Sequence, residues 1–300
     1  MTDIYQIITD KIVAQIEQGV STYRMPWHSR QHGASELQLP RNVTGRTYRG
    51  VNVPVLWATA SAFGYSSPIW ATYKQWHERG CQVREGEKAA IVVFWKSSDV
   101  KIGETEDGGD EIERRLIARG YFVFNAAQVD GFDETKIGRS VQSVEDLSED
   151  QRIAAAERFF VSSGATVRHG GNRAFYTPTG DFIQMPQFAQ FVDAKSYYSV
   201  LAHEHTHWTG AKERLDRVFG ARFGDAAYAF EELVAELGAA FLCAGLGLEN
   251  EPRADHASYV ASWLRTLKND KKAIFKAASK AQAAGDYLQS LSGARPEERL

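Results

Sequence analysis

The 300-residue sequence predicts an α+β protein of two domains, an N-terminal α+β domain followed by a mostly helical one with a small sheet. Three observations predict it. The chain is longer than a typical single domain. Its charge is segregated: residues 1–98 carry 11 Lys and Arg against 7 Asp and Glu, residues 99–150 carry 6 against 14, and residues 151–300 carry 18 against 17. Strand-like apolar runs and short helical stretches fill the first half, whereas long helical periodicities dominate the second.

In chain order, Ile4, Ile7, Ile8, Ile12 and Ile16 repeat at helical spacing, and Gly19 is placed to end that amphipathic helix. A second helical stretch is "ATYKQWHERG". The runs "AAIVVFW" and "GYFVFNAAQV" read as paired strands. Between them lies "KSSDVKIGETEDGGDEIERR", whose acidic, Gly-containing composition predicts a long exposed hairpin loop over 97–115. Residues 131–150 have linker composition, which divides the chain into domains at 1–130 and 151–300. The second domain opens with the helical "DQRIAAAERFFVSSG" and continues with strands in "ATVRHGG", "RAFYT" and "DFIQMP", the last two joined by a turn at Pro178–Gly180. A helix capped by Asp193 and ended by Gly210 follows, and then two long helical patterns, "YAFEELVAELGAAFLCAGLG" and "HASYVASWLRTLKNDKKAIFKAASKAQAAGDYL".

Composition excludes several classes. With 43% hydrophobic and 24% charged residues, the chain has material for a core and is not globally disordered. It has no run of about 18 apolar residues and no basic-then-apolar leader, so the expectation is a cytoplasmic protein with no membrane partner. Cys81 and Cys243 lie far apart with no CxxC pairing, which argues against a disulfide framework and against a thiolate metal site.

The chemistry concentrates in "AHEHTHWTG", three of the chain's eight histidines within five residues. On a helix His203 and His207 lie one turn apart and can converge on one ion, while Glu204 beside them suits a general base for metal-bound water. His205 projects about 200 degrees away from His203 and cannot share that ion. The motif arises by chance in roughly one chain of a hundred this size, so its context decides. A catalytic zinc needs a third protein ligand, and "EELVAE" offers Glu232 and Glu236 on one helical face. Zinc is the expected cofactor, with manganese also accepted by two imidazoles and a carboxylate.

In the N-terminal half, five of the seven tryptophans coincide with the positive excess. Arg41, Arg46, Arg49 and Lys74 are interleaved with Tyr48, Trp57, Trp70, Tyr73 and Trp76, the combination of cations and aromatic faces that single-stranded nucleic acid requires. Tryptophans are more often core residues, which is the competing explanation for each.

The order HExxH, then Glu-xxx-Glu on a later helix, resembles the glutamate-zincin arrangement. The resemblance implies Glu232 as third ligand, Glu236 as the acid that orients a histidine, and Glu231 as the weaker alternative. It also implies "FIQMP" as an edge strand for an extended substrate, and Tyr259 or His256 as oxyanion stabiliser. Across nearly its whole length, through "DIYQIITDKIVAQIEQG", "YRGVNVPVLW", "SPIWATYKQW", "GEKAAIVVFWK", "DFIQMP", "HEHTHWTGAKERLDR" and "EELVAELGAAFLC", the chain resembles the ArdC antirestriction family, related to the N-terminal region of plasmid TraC primases. This implies a single-stranded-DNA-binding domain joined to a zincin-like metallopeptidase domain, carried by conjugative plasmids and shielding incoming DNA from restriction in the recipient cell. The implied target of any proteolysis is a host restriction protein or another DNA-bound protein. His205 departs from the family's usual apolar residue there, which touches local packing but none of the ligands.

Overall fold

The structure is a computed structural model of the chain and describes residues 3–20, 25–28, 37–104, 110–133, 147–220, 226–250 and 257–293. Helix α1 (Ile4–Gly19) starts where Asp3 accepts a hydrogen bond from the Tyr5 amide at 3.0 Å. Of its expected apolar face, Ile8, Ile12 and Ile16 are fully buried, whereas Ile7 is exposed. Strand β1 (Arg41–Asn42) leads to α2 (Asn52–Phe63), which stops at Gly64 in the left-handed conformation, φ 72°. Next come β2 (Ile69–Ala71), α3 (Tyr73–Glu78) with a Thr72–Gln75 capping box, β3 (Gln82–Val83), β4 (Ala90–Glu104), β5 (Asp110–Asn125) and β6 (Val129–Asp130).

The first sheet has the order β1-β2-β5-β4, and β3 pairs with β6. Asn52 ties α2 to this sheet in the manner of a neighbouring strand: its amide donates to the Val93 carbonyl at 2.8 Å and accepts from the Val93 N–H at 2.7 Å.

The acidic loop expected over 97–115 is corrected by the structure. β4 and β5 continue as a two-stranded antiparallel ribbon from Ala90↔Val123 to Glu104↔Asp110, with one irregularity between Lys101 and Gly103. Backbone pairing needs no buried face, so an acidic composition that rules out a core does not rule out a ladder. Strand alternation along the ribbon puts Phe94 and Lys96 of β4 on the same face as Ile117, Arg119 and Tyr121 of β5.

The second half opens with α4 (Glu149–Ser162), capped by Ser148 two residues ahead of the expected start. A three-stranded sheet follows, formed by β7 (Thr166–His169), β8 (Phe175–Thr177) and β9 (Phe182–Met185) in the order β7-β9-β8. This corrects the reading of "FIQMP" as an edge strand. β9 is central, parallel to β7 and antiparallel to β8, with Ile183 and Met185 fully buried. Among the described residues the outer strands are β7 and β8, because the short strand before the turn and the one after α4 both claim β9 as partner. Helices α5 (Ala194–Trp208), α6 (Ala226–Leu246), α7 (Ala257–Asn269) and α8 (Ala273–Leu291) complete the chain.

The largest apolar cluster does not respect the division into halves. Ile8, Ile12, Ile16, Trp27 and Val53 pack in one core with Leu233, Leu237, Trp263 and Ile274. A second cluster, with Phe160, Ile183, Met185, Leu201 and Leu242, lies wholly within the C-terminal half, and two smaller ones lie within the N-terminal half. No described helix is long and apolar enough to cross a membrane.

Candidate metal centre

Asp193 caps α5 by accepting from the Ser196 amide at 2.7 Å, so the helix carrying the histidines begins where the sequence indicates. Its far end is at Thr209 rather than Gly210. Gly210 serves a different need: a Cβ there would lie 2.7 Å from the Phe219 ring and 2.9 Å from the Arg217 guanidinium. Gly238 of α6 faces Thr206 of α5 so closely that a Cβ would sit 2.5 Å from the Thr206 methyl. That absence of a side chain brings α6 close enough for its acids to meet the histidines.

His203, His207 and Glu232 each present one donor atom to a common point, all within 4.8 Å of one another and all buried. His203 Nε2 and His207 Nε2 are 3.1 Å apart. Glu232 Oε2 is 3.6 Å from the first and Oε1 is 3.5 Å from the second. Three ligands bonded at about 2.0–2.1 Å in a tetrahedron stand about 3.3 Å apart, which these separations match. Burial opposes the charge on Glu232, but the hydrogen bonds and charge of His203 and His207 outweigh it and hold its carboxyl below the usual range. For His207, burial again opposes charge, while Glu231 and Glu232 raise it to about 10. Two imidazoles and one carboxylate thus share one buried pocket, a donor set that fits a divalent cation. Glu204, one residue after His203, is buried on the same helix.

The outer nitrogens of both imidazoles face carboxylates. His203 Nδ1 lies 3.5 Å from Glu236 Oε1, and His207 Nδ1 lies 3.3 Å from Glu231 Oε1. Glu231 is therefore buried behind His207 rather than solvated, beside the cluster of His203, His207 and Glu232. Arg217 anchors it with contacts of 2.8–3.1 Å while also donating to Thr209 Oγ1 at 2.8 Å and the Thr206 carbonyl. Arg217 and Glu231's role were missed from sequence, because the turn after α5 carries no periodicity to place the arginine. Trp27 and His28 also reach Glu236, across 208 positions or more of sequence.

His205 points away, as the helical geometry requires. Its Nδ1 meets the Leu201 carbonyl at 2.9 Å, its Nε2 meets Ser163 Oγ at 3.1 Å, and burial pushes its pKa down to about 4. Tyr259 stands one step from the ligands: its hydroxyl donates to Tyr228 at 3.3 Å, and Tyr228, one turn ahead of Glu232 on α6, is the tyrosine that contacts Glu232. Burial, followed by the Tyr259 and Glu232 contacts, raises the Tyr228 pKa. The spacing of four residues between Tyr228 and Glu232 was the available signal. His256 lies outside the described residues.

The aromatic set expected to meet nucleic acid is mostly internal. Tyr48, Trp57, Trp70 and Trp76 are buried, with Trp57 Nε1 donating to the Gln38 carbonyl at 2.7 Å and Trp76 Nε1 to the Phe124 carbonyl at 3.1 Å. Their rings are not open to a base, which corrects that expectation: large rings with one polar atom satisfied by backbone are core residues. Tyr73 is half exposed, Lys74 pairs with Glu78 at 3.7 Å, Arg49 pairs with Asp286 of α8, Arg46 is exposed, and Arg41 sits on β1. Exposed rings gather instead on the ribbon, at Phe94, Trp95, Tyr121 and Phe122.

Comparison with known proteins places these features in context. Residues 2–124 match the family model described as the N-terminal domain of anti-restriction factor ArdC, and residues 154–280 match that of a zincin-like metallopeptidase. The chain is 50% identical to protein y4eC of Sinorhizobium fredii, over 96% of this chain and 92% of that one. It is 34% identical to an Escherichia coli DNA primase TraC over 98% of this chain, which spans only 28% of the primase. Among solved structures, metal-free antirestriction ArdC protein from plasmid R388 is 44% identical, with a TM-score of 0.78 over 97% of this chain and 98% of that one. Its Mn(II)-bound form is 43% identical, with a TM-score of 0.75 over the same shares, 97% and 98%.

Proposed function

Because the chain belongs to the ArdC antirestriction family and joins that family's N-terminal domain to a zincin-like metallopeptidase domain, we propose that it binds single-stranded DNA, protects entering DNA from restriction, and carries a metallopeptidase site in its C-terminal half. The observation that carries the metal reading is the convergence of His203, His207 and Glu232 in one buried cluster. Two imidazoles and one carboxylate fit a catalytic site of three protein ligands, and they accept zinc or manganese. The R388 relative was crystallised with Mn(II), which favours a divalent ion here too.

A bound divalent ion would lower the pKa of a water and polarise a peptide carbonyl. The protein's own residues divide the rest of the work. Glu204 takes the proton from the attacking water and passes it to the leaving amine. Glu231 and Glu236 hold the two imidazoles so that each Nε2 faces inward. Tyr228, with Tyr259 behind it, is the hydroxyl beside the ligand set suited to the developing oxyanion. The outer edge of β8 offers backbone pairing to an extended peptide: Tyr176 of β8 is 6.0 Å from Phe219, itself 6.3 Å from His207. The substrate class is a protein, either a restriction protein or another DNA-bound protein.

For DNA, the ribbon face of Phe94, Lys96, Arg119 and Tyr121 is the stronger candidate, with Arg41, Arg46 and Tyr73 as flanking contacts. Phe94 and Tyr121 meet edge to face at 5.5 Å with both rings partly exposed, and Arg119 stands opposite Phe94 with Lys96 two residues along the same strand. The functional division we propose is 1–130 for DNA and 151–300 for peptidase chemistry, with 131–150 joining them.

The test is Glu204→Ala in the full chain, with metal content and protection of transferred DNA both measured. Loss of protection with metal and fold retained is the expected result. Full protection would remove proteolysis from the function and leave the metal a stabilising role.

A further inference from the structure

Resting on the metal reading above, we propose that Trp27 and His28, residues of the N-terminal half, are positioning residues of the metal site: they fix the Glu236 carboxylate that orients His203. The argument starts at the backbone. Met25 N–H donates to His28 Nδ1 at 3.0 Å, which makes Nδ1 the acceptor and leaves the hydrogen of the neutral ring on Nε2. His28 Nε2 therefore donates to Glu236 Oε2, 3.4 Å away. Trp27 Nε1, which can only donate, reaches the same oxygen at 3.3 Å.

With Oε2 taken by two N–H groups from the N-terminal half, Oε1 is the oxygen turned toward His203 Nδ1. At 3.5 Å the two face each other without a formed hydrogen bond, and a slight approach would place the hydrogen of His203 on Nδ1 and leave Nε2 unprotonated, the atom that converges with His207 and Glu232.

The short segment is itself locked in place. Trp27 is fully buried, its ring 6.4 Å from Trp263 of α7. Its carbonyl accepts from Asn250 Nδ2 at 2.9 Å, and Asn250 Oδ1 accepts from Ser199 Oγ of α5 at 3.0 Å. A closed circuit thus runs from the 25–28 segment through α6 to the ligand helix and back. The zincin-like stretch, matched over 154–280, holds its ligands but not this support. The N-terminal half completes the site from behind.

The experiment uses the full-length chain, with Zn2+ affinity from competition with a chromophoric chelator and the Co2+ absorption spectrum as a report on ligand geometry. Trp27→Phe removes one N–H and keeps the ring; His28→Leu removes the other donor; His28→Gln places an amide N–H near the lost Nε2–H. Thr9→Val is the control, since Thr9 donates to the Lys271 carbonyl at 2.8 Å, a bond that joins the two halves through α1 rather than through Glu236.

Trp27→Phe and His28→Leu should each weaken Zn2+ binding about 10- to 100-fold and shift the Co2+ bands. His28→Gln should recover most of the affinity, and Thr9→Val should change stability without moving either metal readout. Wild-type affinity and an unchanged spectrum in Trp27→Phe and His28→Leu would overturn the proposal while leaving the metal site intact. Should His28→Leu fail to fold, Trp27→Phe alone decides. A wild-type chain that binds neither ion would overturn the metal reading and this inference with it.

Discussion

At Arg217 three guanidinium nitrogens make five hydrogen bonds to the Glu231 carboxylate, the Thr209 hydroxyl and the Thr206 carbonyl, and the residue is almost fully buried with Glu231. Replacing it with methionine would strand the Glu231 carboxylate and loosen the ring of His207. The expected loss for Arg217→Met is about 3–5 kcal/mol in urea unfolding, with weaker metal binding beside it. A loss below about 1 kcal/mol would show the pair to be dispensable. At this scale the sequence was half legible. His203, Glu204 and His207 could be placed from helical spacing alone, since 3.6-residue periodicity dictates which side chains share a face, whereas spacing left Glu232 and Glu236 both open and the resemblance to glutamate-zincins singled out Glu232. Arg217, Trp27 and His28 could not, because no local rule sets the path of the chain outside a regular helix.

Elements show a similar division. The crossing of α5 and α6 depends on Gly238, and Gly238→Ala would force a methyl against Thr206. We expect it to cost about 1–3 kcal/mol and to lower metal affinity, measured by chelator competition on the folded variant. Unchanged affinity would mean that the helices have slack. The β4–β5 ribbon carries the matching prediction for nucleic acid. Phe94→Ala and Tyr121→Ala should each weaken binding of a labelled single-stranded oligonucleotide by about 1–3 kcal/mol in anisotropy titrations, and Lys96→Glu should flatten its salt dependence. Intact binding in these variants, with loss in Tyr73→Ala, would move the contact to α3. Composition reported the ribbon's acidity, which governs solvation, and was silent about its ladder, which is made by backbone. The same limit applies to β9: periodicity marked it as a strand, but sheet order depends on which strands compete for its edges.

Across the whole molecule, the central fact is the core shared by α1, α2, α6, α7 and α8. Each buried isoleucine of α1 is worth about 1.5–3 kcal/mol, and all three belong to this shared core. Thermal unfolding followed by tryptophan fluorescence should therefore give a single cooperative transition, and residues 1–150 produced alone should expose the α1 face and self-associate. Two well-separated transitions, or a monomeric and folded 1–150 fragment, would contradict this. By itself the sequence determined the two-part organisation, helices α1, α3, α4, α5 and α6, and the shared face of His203 and His207 with Glu204 beside it, but neither α2 nor the break between α7 and α8. Those follow from spacing along one element, or from the order of two elements. The tertiary structure alone decided which aromatic rings are buried, which strand is central in the second sheet, and that a histidine and a tryptophan near the N-terminus reach Glu236. Contacts across 208 positions depend on how packed surfaces meet, and no periodicity within a single element encodes that.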